Sequence, residues 1–299
     1  MADERDTAYP TMTMDEMAYL RRLTLQALAA RGVEAVFTAD GTTAKCSNGS
    51  SYGLDNLART CRNAVHEDWP ALVDKHFADM LAARDRPGVE DMDTSELLAR
   101  VRARVLSTDQ VESAPGGMLS YGWPIADGLT EVLCVDHPDV VAYLNAGQIA
   151  TRDAGALREA GRRNTGAEPI DQVIPRQTDG AEFLILAGES VFVGSKILDV
   201  GALVPVYLPV APNGVIVGAP SRNLLIAHHV QTATSTIAAV NAMARLCQTL
   251  SSGNPGPISP DLYYWNGALQ RVTSVNPQTQ AIAILGDGAF GDVLTALMQ

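Results

Sequence analysis

The side chains best suited to chemistry lie in the second half of the chain. Arg222 stands between two apolar runs, Val215–Val217 and Leu224–Ala227, and His228-His229 follows on the second run. Glu182 and Asp199 lie on preceding segments. An arginine binds anionic groups and a histidine moves protons near neutral pH. Gathered from neighbouring strands, Arg222, His228 or His229, and Glu182 or Asp199 would form the catalytic site of a hydrolase or transferase of unrecognised type. The competing expectation for Arg222 is structural. Burying it unpaired would cost on the order of several kcal/mol, so a carboxylate would hold it and fix strand register.

Other patterns point away from familiar chemistry. Adjacent strand residues face opposite ways, so His228 and His229 are not expected to share a metal. His66 and His76 do not have the spacing of a His-Glu-x-x-His helix. Cys46, Cys61, Cys134 and Cys247 are scattered without a Cys-x-x-Cys pair, so reduced buried thiols are expected, with no metal centre and no disulfide framework. Gly286-Asp287-Gly288-Ala289-Phe290-Gly291 fits G-x-G-x-x-G, but a dinucleotide fold needs further βα units beyond it. A glycine turn before a terminal helix is the better reading, and no cofactor is expected. Ser195-Lys196 are neighbours that seldom face one another, and neither a Gly-x-Ser-x-Gly elbow nor a Walker loop occurs. Tyr263-Tyr264-Trp265 reads as hairpin packing ahead of an interface.

The elements that would position these residues follow from periodicity and turn chemistry. Thr13 and Glu16 form a capping box for a helix over Met14–Arg31, closed by Gly32. Strands over Val33–Thr38 and Thr42–Ser47 flank Asp40-Gly41. Helices are predicted over Leu54–Ala64, Trp69–Arg84 and Thr94–Leu106. On the last, Arg100, Arg102 and Arg104 spread around the axis as a solvated face. Ala114-Pro115-Gly116-Gly117 is the expected linker, dividing a helical N-terminal part with one hairpin (1–113) from an α+β domain (118–299). Beyond it come a strand over Leu129–Val135, a short helix from Pro138 to Leu144 and a helix over Ala154–Arg163 capped by Thr151. Gln172–Gln177 and Ala181–Leu186 form a hairpin whose first strand sits at a sheet edge because of Pro175. Ser190–Val193 reads as a short strand, and Ser195–Val206 is open between helix and strand. Strands over Gly214–Gly218 and Asn223–Val230, a helix over Thr234–Leu250, and a hairpin at Asn266-Gly267 complete the core. The fold class is α+β, an antiparallel or mixed sheet with helices packed on it.

The stretches Glu182–Gly188, Ser190–Leu198 and Ala219-Pro220-Ser221-Arg222-Asn223-Leu224-Leu225 resemble the bacterial family called domain of unknown function 1444. Ala160 and Asn164 match its A-x-x-x-N helix, and Asn223 departs from the Asp expected there. Trp69-Pro70-Ala71-Leu72-Val73-Asp74-Lys75-His76-Phe77 is similar to a stretch of unannotated actinobacterial proteins. The resemblance implies no activity and no catalytic residues.

Composition bounds the function. The chain has 299 residues, 46% hydrophobic and 19% charged, with a net charge of −12. This describes a globular protein and argues against nucleic acid or an anionic membrane as partner. The acidic start, Met1–Asp6, lacks the apolar stretch of a secretory signal, and no apolar run approaches the ~20 residues of a membrane span. A cytoplasmic location is expected. Residues 190–299 carry four Lys/Arg and four Asp/Glu. This charge-poor part suggests a protein partner or a homo-oligomer, and a binding role as an adaptor, chaperone-like or immunity-like protein.

Overall fold

The computed structural model describes residues 4–84, 88–138, 140–178, 180–208, 211–276 and 278–299. It resolves into two compact units: residues 1–86 with 138–140, and residues 87–137 with 141–299. The division therefore falls near residue 87, whereas Ala114–Gly117 lies inside the second unit as a bend containing a short 3-10 turn. No helix among the described residues is long and apolar enough to cross a membrane.

The first unit begins with α1 (Met14–Ala29), whose Thr13 hydroxyl and Glu16 carboxylate form the expected capping box. Strands β1 (Ala35–Phe37), β2 (Thr43–Cys46) and β3 (Ser51–Gly53) make a small antiparallel sheet. The Asn48–Ser51 cluster thus leads straight into a third strand. Helices α2 (Asp55–Arg62) and α3 (Trp69–Arg84) complete a core built on Met17, Leu20, Leu28, Leu57 and Phe77.

The second unit opens with α4 (Thr94–Arg100), capped by the Asp93 carboxylate. The helix stops at Arg100, and Val101–Ser107 is strand β4 instead of the second half of a helix. Val101, Ala103 and Val105 alternate with Arg102, Arg104 and Leu106, the two-residue period of a strand. Helix α5 (Thr108–Glu112) and strands β5 (Trp123–Ala126), β6 (Leu129–Asp136) and β7 (Val141–Tyr143) follow. The segment after Pro138 is therefore strand β7, with Asp139 outside the described residues. It pairs with β6 through Cys134↔Tyr143, which gives it a ladder that an isolated short helix would lack. β4, β6, β5 and β7 form one antiparallel sheet around the central β6.

Helix α6 (Ala146–Ala150) is capped by Asn145 and Gln148, and α7 (Ala154–Ala167) by Asp153, not by Thr151. Strands β8 (Gln172–Thr178) and β9 (Ala181–Ala187) come next, with β8 exposed along most of its length. Ser190–Val193 is a bend and turn leading into a 3-10 segment, in place of a strand. A 3-10 segment over Val193–Asp199 and helix α8 (Val200–Tyr207) resolve the stretch that sequence left open. β10 (Val215–Ser221), β11 (Leu224–His229), α9 (Ala233–Gly253), β12 (Leu262–Trp265), β13 (Leu269–Arg271), β14 (Thr273–Val275), β15 (Ile282–Ile284) and α10 (Gly288–Leu297) close the chain.

The principal sheet has the order β13-β12-β10-β11-β9-β8, antiparallel throughout. Edge strand β8 carries Pro175, as expected from its missing amide. One face of the sheet packs Ile185, Ile216, Ile226 and Leu262 under α9, through Val240, Met243 and Cys247. The opposite face packs Leu186, Val217 and Leu225 against Ile197, Val200 and Leu203. The fold class is α+β with antiparallel sheets. The central strands of the charge-poor C-terminal part are interior to this unit: β10 is buried along its length, and Tyr263 and Tyr264 are buried in β12.

Candidate functional site

Arg104 and Arg222 of the second unit stand without a counter-ion among the described residues. Arg104 comes from the middle of β4, opposite Val132 of β6. It is only 8% exposed, and its guanidinium lies over the rings of Tyr143, at 5.6 Å, and Phe192, at 6.0 Å. Arg222 occupies the tight turn between β10 and β11, where Ser221 pairs with Leu224. The turn is pinned on both sides. The Gly194 amide donates to the Arg222 carbonyl at 2.9 Å, and the Arg222 amide donates to the Gly256 carbonyl at 2.8 Å. Glycine is required at both supports. A Cβ on Gly194 would collide with the Ser221 carbonyl, and one on Gly256, where φ is +65°, would meet the Arg222 stem.

The electrostatics of this pair are unusual for the molecule. Burial first, and then the charge of Arg104, pull the Arg222 pKa below its ordinary value, with Tyr143 acting in the opposite direction. Burial pushes the Tyr143 phenol up, against the pull of both arginines, so it stays protonated at neutral pH. Neither guanidinium has a carboxylate or a hydrogen-bond acceptor among the described residues, and the Tyr143 hydroxyl is equally without a partner there. The contrast with neighbouring arginines is direct. Arg102, two positions before Arg104 on the same face of β4, meets Glu168 at 2.8 Å and Asp136 at 3.8 Å. Arg158 and Arg162 of α7 both grip Glu131, which is fully buried. Arg271 has Asp127 and Asp261. An arginine cannot shed its charge by deprotonation, so a shielded guanidinium without a partner is costly. Two guanidinium groups that sense each other's charge, with a phenol nearby, offer the donor types that oxyanions accept from.

The residues singled out from sequence fall in three separate places. Arg222 belongs to the cationic pair. His228 and His229 lie at the far end of the same hairpin, and six residues of strand at ~3.3 Å each put them ~20 Å from Arg222. The single polar site that would gather Arg222 with a histidine is therefore not formed. His228 is 2% exposed and donates from Nδ1 to the Glu182 carbonyl. The ring of His229 stacks on it at 5.7 Å. Burial lowers the pKa of both, with the Glu182 backbone bond opposing this at His228 and the Glu182 charge opposing it at His229. Glu182 and His229 do share a cavity of about 510 Å³, walled by Leu184, Tyr207, Leu208 and Ala227. Asp199 lies elsewhere, capping α8 through the Ala202 amide beside a cavity of about 470 Å³ that Lys196 also lines.

Several motifs have structural uses. Ser195 Oγ accepts from the Val105 amide, and Lys196 Nζ donates to the Gly166 carbonyl at the end of α7. Gly286–Gly291 forms the turn into α10. Among the described residues no group of His, Cys, Asp and Glu could hold a metal ion. Arg104 and Tyr143 are the functional candidates that sequence missed. The alternation across Val101–Leu106 was the available signal for the first, and nothing marked the second.

Compared with known proteins, the chain matches no family model, no curated protein and no solved structure. The site itself is the ground for a functional reading.

Proposed function

We propose that this protein acts by binding, and that the group it recognises is an anion held between Arg104 and Arg222. The observation that carries this reading is that Arg104, 8% exposed, has no acceptor among the described residues, and that Arg222, likewise without one there, senses its charge. Planar guanidinium edges suit oxyanions because two parallel N–H bonds reach two oxygens. The Tyr143 and Phe192 rings near the Arg104 guanidinium favour a fixed orientation for those edges. The reading replaces the apolar docking face expected from charge-poor composition. The large exposed apolar side chains, such as Val173, Val206, Ile237 and Ile284, fall on separate elements. A protein partner remains compatible when it presents the anionic group.

Thermal unfolding at fixed ionic strength tests the proposal. Sulfate, phosphate and carboxylate salts should raise the midpoint of the wild type above its value in chloride. Ligand at 100 times its Kd corresponds to ~2.7 kcal/mol of stabilisation. The Arg104→Met and Arg222→Met variants should lose this response. Equal responses in wild type and both variants would refute the site.

A further inference from the structure

We infer that Lys196 is a reactive amine, placed in a cavity to form an imine with a small carbonyl compound that carries a carboxylate. The cavity has about 470 Å³ and is lined by Lys196 together with Arg162, Arg163, Gly166, Ser195 and Asp199. Lys196 is 7% exposed and has no carboxylate partner among the described residues. Its Nζ donates at 2.6 Å to the Gly166 carbonyl, in the last turn of α7. Both partners of that bond line the cavity, and the amine makes no second hydrogen bond among the described residues. Capping a helix end does not by itself call for lysine. Arg31 does the same for α1, donating to the Ala27 carbonyl at 2.9 Å, and nineteen of the chain's 22 Lys and Arg residues are arginine. The three lysines are Lys45 and Lys75, both exposed, and Lys196. What lysine offers and arginine does not is an amine that can lose its proton and attack a carbonyl carbon. Burial lowers the Lys196 pKa, with the charge of Glu168 opposing it, and so enlarges the neutral fraction at a given pH.

The step balances with no further reactant. The neutral Nζ attacks the carbonyl carbon, a C–N bond forms, and the carbonyl oxygen takes a proton to give a carbinolamine. Its hydroxyl leaves with a second proton as water, and the nitrogen keeps one proton as an iminium. In sum, one ammonium and one carbonyl give one protonated imine and one water. Asp199 is the carboxylate of the lining; it holds the Ala202 amide through Oδ1 and is the group there that can carry a proton between these stages. The two arginines of the lining differ. Arg162 is committed to Glu131, which it shares with Arg158. Arg163 has a single ion-pair contact among the described residues, to Glu159 at 3.9 Å, with both side chains well exposed. Such a contact in water holds the guanidinium weakly, so Arg163 is free to take a carboxylate of the substrate. Exposed Arg163 and Asp199 open the cavity to solvent. Neither Arg104 nor Arg222 is among the lining residues, so this site stands or falls separately from the anion site.

The test is reductive trapping of the folded, full-length protein with glyoxylate and cyanoborohydride, read at each lysine by peptide mass spectrometry. Exposed Lys45 is the internal standard for the intrinsic reactivity of each probe. Lys196 should be trapped about tenfold faster than Lys45 or Lys75, and its rate should saturate with glyoxylate. With acetaldehyde, the neutral probe, the ratio of Lys196 to Lys45 should be about threefold lower or less. Arg163→Gln should lower the glyoxylate ratio by a similar factor and leave the acetaldehyde ratio unchanged. Lys196→Arg keeps a donor for the Gly166 carbonyl and should lose the saturable adduct while Lys45 and Lys75 react as before. Trapping of Lys196 no faster than that of Lys45 and Lys75, or only in urea, would show a helix cap alone and overturn the inference. Equal ratios for glyoxylate and acetaldehyde would overturn the choice of an acidic substrate.

Discussion

Replacing Arg222 with methionine should leave the anion-free protein as stable as before, or make it more stable. Methionine keeps the stem that packs over Gly256 and removes only the charged end. That end makes no hydrogen bond or ion pair among the described residues, so little attraction is lost. What disappears is repulsion from Arg104. At an effective dielectric of ~20, two like unit charges roughly 5–10 Å apart repel by about 2–3 kcal/mol. Partial exposure of Arg222 lets solvent screen the pair, which brings the expected relief to ~1 kcal/mol or less. For a unit of this size that is a rise of ~2–4 °C in the unfolding midpoint. The assay is thermal unfolding followed by circular dichroism, at low ionic strength, with chloride as the sole small anion. The gap should narrow as chloride screens the repulsion. Arg102→Met is the control. It removes a paired guanidinium and leaves Glu168 without it, so it should destabilise the protein. A loss of more than ~1 kcal/mol in Arg222→Met would mean that the guanidinium has a stabilising partner within the protein, and would refute the reasoning.

Two further predictions concern groups outside the site. Glu131→Gln removes a fully buried carboxylate from between Arg158 and Arg162, which should cost ~3–5 kcal/mol and loosen α7 from β6. Denaturant unfolding measures this, and a change below ~0.5 kcal/mol would contradict the account of the triad. Stability should also fall as pH is lowered from 7 towards 5.5. The folded pKa values of His228 and His229 are depressed, so the unfolded chain takes up protons first as pH drops through ~6.5, and the loss levels off below the folded values. His228→Gln should flatten this slope, while Asp136 and Asp261, raised by burial, oppose it at the acid end. An unchanged slope in the variant would show that His228 does not titrate differently on unfolding.

The scaffold was largely legible where local chemistry is strong. Thr13 and Glu16 announced α1, and Pro175 placed β8 at an edge. The Ala-rich stretch without internal Gly or Pro announced α9, which runs from Ala233 to Gly253. The site was not legible, because its decisive strand was hidden. The α4 pattern of Leu97 and Leu98 runs into Val101 without a Gly or Pro, so a helix over Thr94–Leu106 looked continuous. That reading turned Arg104 outward to water, whereas pairing with β6 turns it inward. Arg222 was noticed because it interrupts an apolar sequence. Its meaning depended on what it faces, and its neighbour Arg104 is more than a hundred residues away in the chain. Local patterning carries no information about such a contact. Sequence also treated an unpaired buried arginine as something the protein must avoid. The structure instead leaves buried Arg104 and half-buried Arg222 without an acceptor among the described residues, which turns the same energetic penalty into the argument for a ligand.

The central claim is that an oxyanion sits between Arg104 and Arg222, and a crystal grown with tungstate tests it most directly. Tungstate is a tetrahedral dianion with a strong anomalous signal. The account predicts an anomalous peak within hydrogen-bond reach of both guanidinium groups and the Tyr143 hydroxyl, absent in Arg104→Met. Peaks elsewhere with none at this position, or an Arg104 guanidinium found already paired with a carboxylate, would contradict it.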